Sequence, residues 1–144
     1  MEVQNGATLV LYGGPELETG DFFMAQTGKL ESYGTNLALL RNFTFAQTDE
    51  TLWSWGVDTR LVLKGAGAVQ QSLEIGGRDL GLNAAGFASN FNLPTLRLSG
   101  VGTYASLADL IDNGNRSSDE ALYVDLLEVL AGTTLNLNNL HLYT

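Results

Sequence analysis

Trp53 and Trp55 stand two residues apart. In an extended segment both side chains point to the same side. Aromatic faces set out in this way stack on the apolar faces of sugar rings, while polar neighbours bond the hydroxyls. Asp49, Glu50 and Arg60 supply polar groups close by in the chain. The chemistry expected of this group is polysaccharide binding. Core packing competes with it, since an indole that plugs the interior offers no face to a ligand, and for at least one of the two Trp this is the stronger account.

A second group is rich in oxygen. Asp112, Asn113, Asn115 and Asp119, with Asp109 and Glu120 beside them, crowd a segment around Gly114. Such loops hold Ca²⁺, which takes six to eight oxygens in flexible geometry. The EF-hand order is absent, because its glycine comes sixth and Gly114 comes third counting from Asp112. Gly76-Gly77-Arg78-Asp79 likewise departs from the calcium-binding nonapeptide pattern. Turns in which Asp and Asn cap their own backbone are the commoner outcome for such a stretch. Calcium is the only cofactor the sequence raises.

Catalysis has less to stand on. Asp49 with Glu50, Asp119 with Glu120, and Asp125 with Glu128 have the makings of an acid/base pair for glycosidic bonds, but acidic neighbours are common on a chain of this charge. His141, the single histidine, lies in a Leu-His-Leu-Tyr run whose alternation turns it to solvent, and there is neither cysteine nor a Gly-x-Ser-x-Gly elbow. A non-enzymatic role is the expectation.

Seven Lys and Arg against sixteen Asp and Glu leave a net charge of −9. That surface repels phosphate backbones and anionic membranes, so neither is an expected partner. No apolar run approaches the ~20 residues of a membrane span. Met1-Glu2-Val3-Gln4 lacks the basic and then apolar order of a signal peptide. The favoured reading is a module of a longer secreted chain. Asn42-Phe43-Thr44 and Asn115-Arg116-Ser117 fit the N-glycosylation pattern.

The elements that must carry these groups are strands. Leu127 and Val129, Leu135 and Leu137, and Leu140 and Leu142 each repeat at a spacing of two, with Ala131-Gly132 and Asn138-Asn139 as turn-forming interruptions. Three short strands joined by tight corners suit one coil of a β-solenoid, with a β-sandwich as the alternative. Gly6–Tyr12 and Gly132–Asn138 both read Gly-x-Thr-Leu-x-Leu-x, and Leu61–Gly67 and Leu96–Gly102 both read Leu-x-Leu-x-Gly-x-Gly. Such self-similarity is the mark of stacked repeats. Further strands are expected at Phe22–Ala25, Leu37–Leu40, Phe43–Phe45, Ser72–Ile75 and Thr95–Leu98, with Pro94 at the start of the last. Gln47–Gly56 reads as a loop, and Leu80–Phe91 as a short helix or an irregular excursion. The whole, residues 1–144, is expected to be one all-β domain whose open edges invite self-association or flanking chain.

Glu120-Ala121-Leu122-Tyr123-Val124-Asp125 followed by Gly132–Tyr143, and more loosely Phe43–Glu50 and Leu73–Gly81, resemble a repeated module of large secreted proteins from environmental, planctomycete-like bacteria. The resemblance implies a right-handed parallel β-helix-like region at an extracellular or cell-surface location. It carries no catalytic residues. The expected function is therefore a non-catalytic polysaccharide-binding module, with a structural unit of a stalk, adhesin or filament assembling end to end as the alternative.

Overall fold

Phe22 and Met24 are buried while Phe23 between them is partly exposed, and Phe43-Thr44-Phe45 repeats the pattern. A pleated strand with one face on a core produces this alternation. The computed structural model describes residues 1–65, 67, 69–113 and 120–144. Among them the chain is all-β, with sixteen strands in three sheets and two 3₁₀ turns.

The first sheet runs β1 (Glu2–Val3), β4 (Phe22–Met24), β7 (Phe43–Phe45), β10 (Gln70–Glu74), β13 (Tyr104–Ala108) and β15 (Thr134–Asn136). The second runs β3 (Glu16–Thr19), β6 (Asn36–Leu39), β9 (Leu61–Leu63), β12 (Leu93–Leu98), β14 (Glu120–Val129) and the short β11 (Gly77–Arg78), with β16 (His141–Tyr143) also on β14. The third holds β2 (Thr8–Tyr12), β5 (Lys29–Tyr33) and β8 (Trp53–Trp55). Only β11 pairs antiparallel, to β14; every other pairing of these strands is parallel. A β-sandwich is built from antiparallel sheets, so the pairing departs from that alternative.

Parallel register brings like residues side by side. Phe22 lies opposite Phe43 with the rings stacked at 5.2 Å and 8°. Leu37, Leu61 and Leu96 form one row and Leu39, Leu63 and Leu98 another, and all six are buried. One cluster drawn from all three sheets forms the core. Buried polar side chains bind the corners: Gln71 donates to the carbonyls of Leu39 and Arg41 and accepts from the N–H of Gly65.

The repeat Leu61-x-Leu63 and Leu96-x-Leu98 falls on strands paired in that register. The other repeat does not, since Leu9 and Leu11 lie in the third sheet and Leu135 in the first. Part of the stretch read as a loop, Trp53–Trp55, is strand. Ala84–Phe87 is a 3₁₀ turn capped by Asn83, and Pro94 sits inside β12 as its second residue. Asn138 and Asn139 adopt φ of 53° and 63°, the left-handed turn conformation that their residue type tolerates.

Candidate functional site

Trp53 and Trp55 share one face of β8, as their spacing requires, and that face looks inward. Trp53 is 9% exposed. Its ring meets Phe43 edge-on at 5.8 Å, lies 4.7 Å from Phe45 and meets Phe91 edge-on at 5.7 Å. Its Nε1–H points to the Asn92 carbonyl at 3.4 Å. Trp53 is thus a core residue. Trp55 is half-buried and packs against the core beside it, the two indoles 5.6 Å apart at 60°.

β8 is the last strand of its sheet, paired by β5 on one side only. Alongside it opens a cleft of about 260 Å³ lined by Trp53, Trp55, Val57, Asn92, Pro94 and Asp125. Asp125 arrives from β14, where its neighbour Leu126 pairs with Thr95 of β12. Asn92, Pro94 and Asp125 carry no local sequence signal for this role. They come together because β12 and β14 are adjacent strands in the same sheet.

The three polar partners expected from the sequence are not among the residues that line this cleft. Asp49 caps the 3₁₀ turn Glu50–Leu52, accepting from the N–H of Thr51 at 2.9 Å and from its hydroxyl at 2.6 Å; these bonds hold its carboxyl below the usual range. Glu50 is the first residue of that turn. Arg60 lines a separate groove of about 180 Å³ on the second sheet with Glu16, Asn36, Lys64 and Arg97. There Arg97 approaches Glu128 at 3.5 Å, and Lys64 bonds Glu16 and Glu18, which raises its pKa. Asp125 and Glu128, three apart on one strand, face opposite ways: Asp125 lines the cleft and Glu128 reaches Arg97.

His141 is exposed, as its alternation predicts. Its Nδ1 nonetheless bonds Asp79 Oδ2, and the Tyr143 hydroxyl donates to Asp79 Oδ1 at 2.9 Å. The Tyr143 ring stacks on Tyr123 at 4.9 Å. Two further tyrosines, Tyr12 and Tyr33, stack at 4.9 Å and 14° on the surface of the third sheet.

Of the residues expected to hold calcium, Asp112 is exposed and Asn113 is fully buried; Asn115 and Asp119 lie outside the described residues. Asn113 donates through Nδ2 to the carbonyls of Phe45 at 3.2 Å and Gln47 at 2.9 Å. Carboxylates gather next to it. Glu74 ends β10, Asp109 follows β13 and Glu120 opens β14. Carboxylate oxygens of the three lie within 4.8 Å of one another. Glu74 Oε1 accepts from the N–H groups of Leu110 and Ile111, each at 2.8 Å, and Glu120 Oε1 accepts from Asn113 N–H at 3.2 Å. Burial pushes the Glu74 carboxyl up, the two amides oppose this, and the charge of Asp109 adds to it. Glu74, 36 residues from Leu110, offers nothing in sequence that marks it as part of this group.

No protein-family model, curated protein or solved structure matches the chain.

Proposed function

We propose that this chain is a right-handed parallel β-helix that binds polysaccharide in the cleft beside β8, without turning it over, as an extracellular or cell-surface module. The order of the strands supports the winding. β1, β2 and β3 fall in three different sheets, and so do β4, β5 and β6, and β7, β8 and β9. Paired residues are 21 positions apart at first (Val3 to Met24, Met24 to Phe45) and farther apart later (Phe43 to Leu73, 30; Leu73 to Leu107, 34). A coil of that length cannot bury its own apolar face, and stacking supplies the cover. Parallel crossovers are right-handed in nearly all proteins.

The observation that carries the ligand is the half-buried Trp55 on a cleft whose rim holds Asn92 and Asp125. An indole floor with an amide and a carboxylate at its edge suits a sugar ring, apolar on its face and hydroxylated at its rim. Calorimetry against a panel of soluble polysaccharides tests this. Binding to at least one, lost in Trp55→Ala and weakened in Asp125→Asn with folding intact, is the expected result. An intact protein that binds none of the panel, or a Trp55→Ala variant that binds as well as the parent, overturns it.

One observation favours a second reading, end-to-end assembly. Leu126, Val129 and Leu137, in β14 or just past β15, are 50%, 45% and 43% exposed. Aliphatic side chains left open beside strand edges are a surface on which a second copy stacks. Sedimentation across a concentration series, with Leu137→Lys as the variant that blocks stacking, separates the two readings.

A further inference from the structure

We propose that Glu74, Asp109 and Glu120 form a calcium site that ties the start of β14 to the ends of β10 and β13. Two of the three are almost fully buried, Glu74 at 2% and Glu120 at 3% exposure. Burying a carboxylate is costly unless a cation or a full set of donors compensates. Glu74 has only half of that set: Oε1 takes two amides, while Oε2, equally buried, has no hydrogen-bond partner. The Lys and Arg ion pairs of the described residues join Lys29 to Glu31, Arg41 to Asp21, Arg60 and Arg97 to Glu128, and Lys64 to Glu16 and Glu18. None of them reaches Glu74 or Asp109.

The spacing selects the ion. Calcium bonds oxygen at about 2.3–2.6 Å, so oxygens on opposite sides of one ion are roughly 4.6–5.2 Å apart. The three carboxylates, all within 4.8 Å of one another, fit inside that span. Magnesium, at about 2.0–2.1 Å and rigidly octahedral, requires a tighter set. A neutral oxygen is close at hand, because Asn113 Oδ1 is buried without a partner on the residue whose N–H bonds Glu120. Asp109 is exposed, which leaves the ion a way in and room for water ligands. The site takes one residue from each of three segments that share no local sequence pattern, and its occupation would fasten the two sheets together at their ends.

Calorimetric titration of the whole chain with calcium chloride, after removal of metal by chelator, tests the site, together with melting curves at each calcium concentration. The expected result is one calcium per chain, a melting temperature that climbs with calcium concentration, and weaker binding of magnesium. Glu74→Gln and Asp109→Asn should each weaken calcium binding by about tenfold or more. Asp109 is on the surface, so Asp109→Asn is expected to keep its fold, checked by circular dichroism, even if Glu74→Gln does not. Asp112→Asn should leave binding unchanged. No heat and no melting shift at millimolar calcium overturns the proposal, as does binding that survives Asp109→Asn and disappears in Asp112→Asn.

Discussion

Gly86 lies so close against the ring of Tyr123 that a Cβ at position 86 would sit 2.0 Å from Tyr123 Cε1. Tyr123 is fully buried, and its hydroxyl donates to the Gly81 carbonyl at 3.0 Å and accepts from the Leu80 N–H at 2.8 Å. One side chain of β14 therefore holds the 79–92 stretch at two points, and that stretch ends at Asn92 on the rim of the cleft. Gly86→Ala should destabilise the protein by about 3 kcal/mol, the upper range of overpacking, read as a lower midpoint in denaturant.

Tyr123→Phe keeps the ring and removes the hydroxyl. Leu80 N–H and Gly81 C=O lose their partner, for a cost of about 1–3 kcal/mol. Equilibrium unfolding measures the loss, and hydrogen exchange should show the backbone amide of Leu80 less protected in the variant.

The two tryptophans should part company on substitution. Trp53, enclosed by Phe43, Phe45 and Phe91, should cost about 3–5 kcal/mol as Trp53→Ala. Trp55→Ala should cost less, because part of the indole already meets solvent. Denaturant midpoints of the two variants compare them, and a larger loss in Trp55→Ala would contradict the assignment of core and ligand-facing roles.

Gln71, itself fully buried, makes three bonds to backbone groups, those of Leu39, Arg41 and Gly65. Gln71→Leu fills the same space and satisfies none of them, so a loss of about 3 kcal/mol is expected from the groups left bare. Thermal melting with an unchanged spectrum of the strands is the readout.

Asp79 gives the protein an acid-sensitive contact. Its hydrogen bond from His141, with further ones from Gly81 N–H and Tyr143, holds its carboxyl below the ordinary value of 3.8. A folded value below the unfolded one means that the unfolded chain binds the proton more tightly. The stabilisation is complete above pH 3.8 and fades as pH falls through the lower folded value. Asp79→Asn should thus be less stable than the parent at neutral pH, and the gap should narrow as the medium is acidified below that point. Urea midpoints at a series of pH values measure it.

Strand periodicity was legible because it is local. Leu61-x-Leu63 and Leu96-x-Leu98 alternate on their own, and their likeness reflects true register in the second sheet. The acidic composition, the turn at Asn138-Asn139 and the sharing of one side by Trp53 and Trp55 follow from residue type and spacing in the same way, whereas that this side looks inward is set by the packing of Phe43, Phe45 and Phe91 around Trp53. Likeness alone misled for Leu9 and Leu135, because a Gly-x-Thr-Leu-x-Leu-x strand looks the same in any sheet. What no window of sequence holds is the length of each excursion between paired strands, 21 residues at the start and 34 later. That length decides which residues become neighbours. It carries Asn92 and Asp125 to Trp55, sets Asp79 against His141 at a separation of 62 residues, and gathers Glu74, Asp109 and Glu120 into one spot. Alternation and charge belong to the chain taken a few residues at a time; the convergence of distant carboxylates and aromatics belongs to the packing, because parallel register joins residues by their place across the sheet and not by nearness in sequence.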